Sequence, residues 1–284
     1  MDKKYYGQIK LGLIQRGLTI PTLLQGLSEV SRGLCSAEPG EEVTLALAED
    51  FIVKTTLNPP EKDGPKIISQ QDRLRLYMEE GETDVSIIPV PEFLKQQLKR
   101  RTPVSENICL DGYCFNVFLR AIGRGKKLSM PIEAILSVIQ AAFEEGAADL
   151  VQLNMDYSND DDRGFQRLAP LVEAIKKRFN TFVALKGFPP LDKNTIDHVY
   201  ASGFDIVNFP LGGFYGTVKS KKIMGAEKIY EALEYASSVF SPGTVWTDLN
   251  LSPGSQDRLK EGIDRLTDSG IIPLILLQRD SVTE

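Results

Sequence analysis

From residue 113 onward the chain alternates uniformly apolar segments with segments whose apolar residues recur at helical spacing. The apolar segments are YCFNVFLRAIG, DLVQLNM, TFVALKGF, FDIVNFPL, TVWTDLNL and IIPLILLQ. The first intervening helix is predicted to begin near Ser129 and Pro131 and to end at Gly146. Strands that are apolar throughout and separated by helices are typical of a parallel sheet covered by helices. The pattern therefore predicts six strands connected by helices within residues 105–284.

The first hundred residues lack this regularity. The apolar spacing of residues 11–18 predicts a helix, and Pro21 precedes a further helical turn. The segment EEVTLALAEDFIVKTTL predicts a strand hairpin, and another strand is predicted at 85–90. We therefore predict a small mixed α/β domain over residues 1–104.

The second half has no glycine-rich phosphate loop after its first strand, which counts against a dinucleotide-binding sheet. We predict an α/β fold in which the sheet closes, at least partly, into a (β/α)6 TIM-like barrel. Functional side chains of such barrels follow the carboxyl ends of the strands. This rule selects the following candidates for binding a small-molecule ligand or cofactor: Asn154, Asp156, Asn208, Asp248, Asn250 and Arg279.

Composition and charge exclude several classes of partner. The net charge of -6 provides no broad positive field for a nucleic-acid backbone. The chain has no apolar stretch long enough to span a membrane, and its N-terminus lacks the apolar core of a signal peptide. Three cysteines are too few, and odd in number, for a disulfide framework. These features predict a cytoplasmic protein that binds neither nucleic acid nor membranes.

Two segments resemble the radical S-adenosylmethionine superfamily, particularly its biotin-synthase-like members. They are AAFEEGAADLVQLNMDY and EALEYASSVFSPGTVWTDLNLSPGSQDRLKEGIDRLTDSGIIPLILLQRD. The resemblance covers roughly residues 105–280. It implies a barrel that binds S-adenosylmethionine next to a [4Fe-4S] cluster held by three cysteines, most often spaced CxxxCxxC.

The cysteines of this chain match that motif incompletely. The corresponding segment, ICLDGYCFNVF, contains Cys109 and Cys114, and Cys35 lies far upstream. Cys109 and Cys114 are interpreted as small buried residues, as metal ligands left from an incomplete cluster site, or as a zinc or redox pair. The leading hypothesis is a radical-enzyme-like barrel that binds a small molecule or supports a partner enzyme. The alternative is an active radical enzyme with a non-standard [4Fe-4S] site.

Other residues suggest different chemistry. Lys186 ends the apolar strand FVALK, where desolvation favours the neutral amine that forms a Schiff base, so a lysine-dependent aldolase-type barrel is a second alternative. The run of Asp160, Asp161 and Asp162 is either a solvated loop or a site for a hard cation. His198 is the single histidine and lies inside a predicted helix, which argues against multi-histidine metal sites.

The chain stops soon after the sixth predicted strand, at Glu284. A strand edge left open there would pair with a protein partner or with a second copy of the chain. We therefore expect a small-molecule ligand at the barrel mouth and a protein contact, with a partner or as a homodimer, at this edge.

Overall fold

A computed structural model of the chain describes residues 3–19, 42–47, 51–59, 64–70, 73–88, 90–100, 102–122, 127–211, 224–251 and 256–277. These residues form two compact units, one within residues 1–90 and one within residues 91–278. The domain limits 1–104 and 105–284 stay a prediction.

The first unit is a small closed barrel with one helix. Its elements are α1 (Lys3–Arg16), β1 (Leu18–Thr19), β2 (Glu42–Ala46), β3 (Ile52–Asn58), β4 (Lys66–Gln70), β5 (Arg73–Met78) and β6 (Gly81–Ile88). The strands follow one another around the barrel in the order β1-β3-β2-β6-β5-β4, and Thr19 pairs with Lys66 to close it. Closure leaves no long unpaired edge in this sheet.

Apolar side chains from α1 fill one side of this barrel core. Ile9 and Leu13, one helical turn apart, are fully buried with barrel residues such as Leu45 and Leu76. Gly17 ends α1 with a φ of 74°, and the side chain of Asn58 leaves no room there for a Cβ atom. A left-handed residue without a side chain therefore turns the chain directly into β1.

The second unit alternates strands and helices. It begins with α2 (Glu92–Arg100), a 3-10 turn (Ser105–Asn107), β7 (Ile108–Asp111), β8 (Cys114–Leu119), β9 (Ala121–Ile122) and β10 (Lys127–Leu128). It continues with α3 (Ile132–Glu144), β11 (Leu150–Met155), a 3-10 turn (Phe165–Leu168), α4 (Ala169–Arg178), β12 (Phe182–Lys186) and α5 (Asn194–Ala201). It ends with β13 (Ile206–Asn208), α6 (Ala226–Val239), β14 (Val245–Leu251), α7 (Gln256–Asp268) and β15 (Ile272–Leu277).

These strands form a seven-stranded sheet in the order β15-β14-β13-β12-β11-β8-β7. All neighbouring pairs are parallel except β7 and β8, which form a hairpin around Gly112. The parallel strands are added in chain order, so each helix connects two neighbouring strands. Their carboxyl ends therefore lie along one edge of the sheet.

The two faces of this sheet differ in chemistry. One face is apolar, and its residues, such as Val151, Leu153 and Leu185, are fully buried in one core with Ile135 and Ile175 of the helices. The other face carries polar side chains at alternate positions, beginning with Asn116 on β8 and Gln152 on β11, which are register partners. A polar face in a sheet of otherwise apolar strands marks where a functional site can lie.

The structure confirms a mixed α/β fold with a parallel sheet. Strands occupy each of the six apolar segments of the second half, and the predicted hairpin is β2 and β3. The helical turn predicted after Pro21 lies outside the described residues. Among the described residues, no helix combines the length and the apolar character that crossing a membrane requires.

Candidate functional site

Three amide side chains form a hydrogen-bonded group on the polar face, which we call the amide cluster: Asn116, Gln152 and Asn154. Gln152 Nε2 donates to Asn116 Oδ1 at 2.8 Å and to Asn154 Oδ1 at 2.9 Å. Asn154 Nδ2 donates to Asn116 Oδ1 at 3.1 Å. All three side chains are nearly inaccessible to solvent. Their mutual hydrogen bonds offset the cost of burying the amide groups. The same bonds connect β8 to β11 and make this part of the polar face rigid.

Lys186, Asn208 and Asp248 form a second group, which we call the ion-pair cluster. Lys186 Nζ lies 2.5 Å from Asp248 Oδ2, and Asn208 Nδ2 donates to Asp248 Oδ1 at 2.8 Å. Lys186 and Asn208 end β12 and β13, and Asp248 lies in the middle of β14, two residues beyond the register partner of Asn208. Asn154 is the register partner of Lys186, and Lys186 is the register partner of Asn208. The two clusters are therefore neighbours on one face of the sheet, and the ion-pair cluster is the one that reaches the carboxyl ends of β12 and β13.

The charges of the ion-pair cluster are largely shielded from solvent. The side chain of Asp248 is 2% exposed and that of Lys186 is 19% exposed. A carboxylate this buried is stabilised by its partner cation and by hydrogen bonds, which Lys186 and Asn208 supply. Lys186 is the more accessible partner of this pair, so its side chain can contact a ligand.

One atom of the ion-pair cluster lacks a partner. Asn208 is fully buried, and among the described residues nothing donates a hydrogen bond to its Oδ1 atom. A buried acceptor without a donor costs about 1–3 kcal/mol. This amide oxygen can accept a hydrogen bond from a bound molecule.

Thr247 supports the segment that follows Asn208. Its hydroxyl donates to the Phe209 carbonyl oxygen at 2.7 Å and accepts from the Leu211 backbone N–H at 3.1 Å. Thr247 is itself fully buried. These bonds join the end of β13 to β14, which holds Asn208 and Asp248 in a fixed relation.

Asp156 lies just beyond β11, two residues after Asn154. Its Oδ1 atom accepts from the Tyr157 backbone N–H at 2.8 Å, and its Oδ2 atom lies 3.4 Å from Arg120 Nε. Arg120 follows β8 and is mostly exposed. Asp156 is thus at the same sheet edge as the ion-pair cluster but belongs to a separate, more solvated pair.

The two described cysteines lie on the β7–β8 hairpin. Cys109 is exposed, and Cys114 is partly buried with a free thiol. Burial, together with the nearby Asp111 and Cys109, raises the pKa of Cys114 to about 12, while Lys186 opposes this shift. A thiol with this pKa stays protonated at neutral pH. Within the described residues, no group of three or more His, Cys, Asp or Glu side chains is placed to hold a metal ion.

The remaining candidates are dispersed. Asn250 is on β14, but its side chain lies outside the described residues, as do Arg279 and Cys35. His198 is exposed on α5. Asp160 Oδ2 binds Arg167 Nη2 at 2.6 Å, and both carboxylate oxygens of Asp162 accept backbone N–H groups. Asn154, Lys186, Asn208 and Asp248 are therefore the predicted residues that the structure brings together.

Asn116, Gln152 and Thr247 were not among the predicted site residues. Asn116 lies within CFNVFL, and Gln152 alternates with Asn154 within LVQLNM. Polar residues two positions apart inside an otherwise apolar strand point to one face. That alternation is the signal in the sequence that identifies the amide cluster.

Comparison with known proteins gives no family for this chain. No family model matches it, and no curated protein matches it. Similar solved structures include the dihydropteroate synthase of Coxiella burnetii in complex with pteroic acid, at 16% identity over 59% of this chain and 60% of that one, with a TM-score of 0.38. The enzyme of Yersinia pestis is 16% identical over 56% of each chain, with a TM-score of 0.38. That of Vibrio fischeri is 12% identical over 57% of this chain and 61% of that one, with a TM-score of 0.36.

This chain thus spans less than two thirds of each of these synthases. The predicted membership of the radical S-adenosylmethionine superfamily is wrong: no family model supports it, and the three solved structures named above are dihydropteroate synthases, which belong to a different superfamily. The hypotheses of a degenerate iron-sulfur barrel and of an active radical enzyme fall with it. The aldolase-type alternative is also unsupported. A Schiff base requires a free amine, whereas Lys186 Nζ is held in an ion pair with Asp248.

Proposed function

We propose that the second unit binds a small polar molecule at the ion-pair cluster, at the carboxyl ends of its parallel strands. The proposal includes the arrangement of β8 and β11–β15 as a partial (β/α)6 barrel, because functional residues gather at this end of such barrels. It also keeps the cytoplasmic location that the small number of cysteines indicates.

The observation that carries the proposal is that the buried Oδ1 atom of Asn208 has no hydrogen-bond donor among the described residues. Beside it, the Lys186 ammonium forms an ion pair with Asp248. Because a lysine ammonium has three N–H donors, this pair does not use all of them. The site therefore offers one acceptor, on Asn208, and a donor, on Lys186. Neighbouring parallel strands lie about 4.8 Å apart, so donor and acceptor are close enough for one small molecule to meet both.

The complementary ligand carries an N–H group next to a carbonyl oxygen, as in a lactam or a cyclic urea. Its N–H would donate to Asn208 Oδ1, and its carbonyl oxygen would accept from Lys186 Nζ. Asp248 would hold both protein groups in place without touching the ligand. The amide cluster would keep the neighbouring part of the face rigid.

Binding of 2-pyridone, uracil and hydantoin, measured by isothermal titration calorimetry, tests this proposal. Their N-methylated counterparts are matched controls, because they keep the carbonyl oxygen and lose the donor. We expect saturable binding of at least one N–H compound, no binding of its N-methyl form, and loss of binding in Asn208→Leu. Asn180→Leu, which removes an exposed amide before β12, should bind as the wild type does.

Two results would refute the assignment. In one, none of the N–H compounds binds the wild-type protein. In the other, Asn208→Leu binds them as tightly as the wild type, which would mean that the buried amide oxygen does not contact them.

A further inference from the structure

Arg163 lies beyond the carboxyl end of β11 and has an unusual, left-handed backbone conformation. Among the described residues it is the one non-glycine residue with a positive φ, of 58°. A left-handed conformation costs an ordinary residue about 1–2 kcal/mol. Such strain persists where the surrounding structure requires it, which is most often at functional sites.

Within the described part of the chain, the Arg163 side chain is buried without a counter-ion. The residue is 5% exposed, and no carboxylate of the described residues lies within 4.0 Å of its guanidinium group. The neighbouring acids are engaged elsewhere: Asp160 with Arg167, and Asp162 with the backbone N–H groups of Gly164 and Gln166. A buried cation without an anion is costly.

Neutral groups hold the guanidinium in place. Its Nε donates to the Pro189 carbonyl oxygen at 3.3 Å, and its Nη1 donates to the Ser158 carbonyl oxygen at 3.0 Å. Its Cζ atom lies 5.0 Å from the centre of the Tyr157 ring. Nη2, with two of the five N–H donors, makes no hydrogen bond to the described residues. Arg163 thus joins the segments after β11 and β12 and keeps one donor group unused.

The segments that follow β8 and β13 in the sequence are rich in basic residues. Residues 120–128 and 209–225, which follow β8 and β13, contain seven basic residues and no acidic one. The basic residues are Arg120, Arg124, Lys126, Lys127, Lys219, Lys221 and Lys222. Positive charge repeated in two segments of the sequence favours a multiply charged anion over a single carboxylate as the ligand.

From these observations we infer that Arg163 binds a phosphate group of the small molecule through its unused Nη2 donors. The inference rests on the proposed function, since it places the phosphate at the same sheet edge as the ion-pair cluster. Tyr157 keeps the guanidinium plane oriented, and the bonds to Ser158 and Pro189 fix its position before the ligand arrives. The phosphate supplies the negative charge that the described residues do not place beside Arg163.

Titration of inorganic phosphate into the full chain tests this inference, with sodium chloride at equal ionic strength as the reference. We expect saturable phosphate binding that is weakened at least about tenfold in Arg163→Gln, because this variant loses at least one charge-assisted hydrogen bond to the phosphate. Arg163→Lys should bind with intermediate affinity, because it keeps the charge but not the planar fork. Arg178→Gln, which removes an exposed arginine paired with Glu133, is the matched control and should bind as the wild type does.

Since Arg163 joins two segments, its variants can fail to fold, and a second measurement therefore uses the wild-type protein. In NMR spectra of the arginine side-chain N–H groups, phosphate should shift the Arg163 signal and leave that of Arg178 unchanged. An unmoved Arg163 signal, equal binding by Arg163→Gln, or a phosphate response no larger than that of chloride would overturn the inference. Neutral lactams report on Asn208 and phosphate reports on Arg163, so either assignment can fail alone.

Discussion

Lys186 and Asp248 carry opposite charges and are both largely buried, so removing one of them leaves the other as an uncompensated buried charge. Lys186→Met leaves the Asp248 carboxylate buried with Asn208 as its remaining partner, which should cost about 3 kcal/mol. Lys186→Met combined with Asp248→Asn leaves no buried charge and should recover part of this loss. Urea unfolding followed by Trp246 fluorescence measures both.

Lys95→Met is the control for that experiment. Lys95 forms an exposed pair with Glu92 at 3.7 Å, and exposed pairs contribute about 0–1 kcal/mol. A double variant as unstable as Lys186→Met would contradict the view that the uncompensated carboxylate causes the loss.

The Cys114 thiol should make the free energy of unfolding depend on pH in the alkaline range. Its pKa is about 12 in the folded chain and near the ordinary value of 9.0 in the unfolded chain. Between these values the unfolded chain binds fewer protons, so stability is complete below pH 9 and falls as the pH rises towards 12. By pH 10 the loss should be about 1 kcal/mol.

Unfolding free energies at pH 8 and pH 10 test this dependence. Cys114→Ala should lose less stability over this interval than the wild type, because it lacks the titrating thiol. Cys109→Ala, which removes the exposed cysteine of the same hairpin, should behave as the wild type does. Equal losses for Cys114→Ala and the wild type would exclude the buried thiol as the cause.

Among the elements, α2 depends on a cap from another helix. The Glu145 carboxylate, just past the end of α3, accepts the backbone N–H groups of Glu92 and Phe93, each at 2.8 Å. These are two of the N–H groups that a helix leaves unpaired at its start. Phe93 packs near Phe115, with ring centres 6.1 Å apart, so the cap also positions an apolar contact.

Glu145→Ala should destabilise the second unit by about 1 kcal/mol, because it removes the cap and a negative charge at a helix N-terminus. Hydrogen exchange at the Phe93 amide should become faster. Glu144→Ala is a close control, since Glu144 bonds only to the exposed Gln140 side chain. Unchanged exchange at Phe93 in Glu145→Ala would argue against this role.

Elements with a strong local pattern could be predicted from the sequence, and the others could not. The strand LVQLNM is apolar on one face and is bounded by clear helices, so its position was predictable. The strand β4 (KIISQ) follows a loop rich in Pro, Gly and charge and was not predicted. Closure of the first barrel depends on Thr19 pairing with Lys66, a contact between distant segments that no local pattern specifies.

The sequence predicted which residues of the candidate site lie near the ends of strands, but not how their side chains contact one another. The rule that function follows strand ends selected Asn154, Asn208 and Asp248, and the position of Lys186 at the end of an apolar strand selected that residue. It could not reveal that Asp248 bonds to both Lys186 and Asn208, since that depends on strand order. Arg163 gave no signal, because its burial and its left-handed backbone are set by the surrounding loops.

At the scale of the whole molecule, alternation of strands and helices is a poor guide to family. Unrelated enzymes use the same alternation, so a similar order of strands, helices and turns does not specify shared chemistry. The two segments that resembled radical enzymes form an ordinary succession of helices and strands, from the end of α3 to β11 and from α6 to β15. The chemical part of that resemblance was the pair of cysteines on the β7–β8 hairpin. Cys114 is a protonated thiol at neutral pH, whereas a cluster ligand is a thiolate.

The two units have separate hydrophobic cores, and this should be visible in unfolding. Leu76 is fully buried in the core of the first unit and Leu185 in that of the second. Replacing a fully buried leucine by alanine costs about 2–5 kcal/mol. The single tryptophan, Trp246, lies on β14, so its fluorescence reports on the second unit, whereas far-ultraviolet circular dichroism reports on both.

We expect Leu76→Ala to shift part of the circular dichroism transition to lower urea and to leave the fluorescence transition unchanged. Leu185→Ala should shift the fluorescence transition. Independent cores lose their packing in separate cooperative steps, so each variant should affect only the unit that contains it. If Leu76→Ala moved both transitions equally, the chain would unfold as one cooperative body despite its two cores.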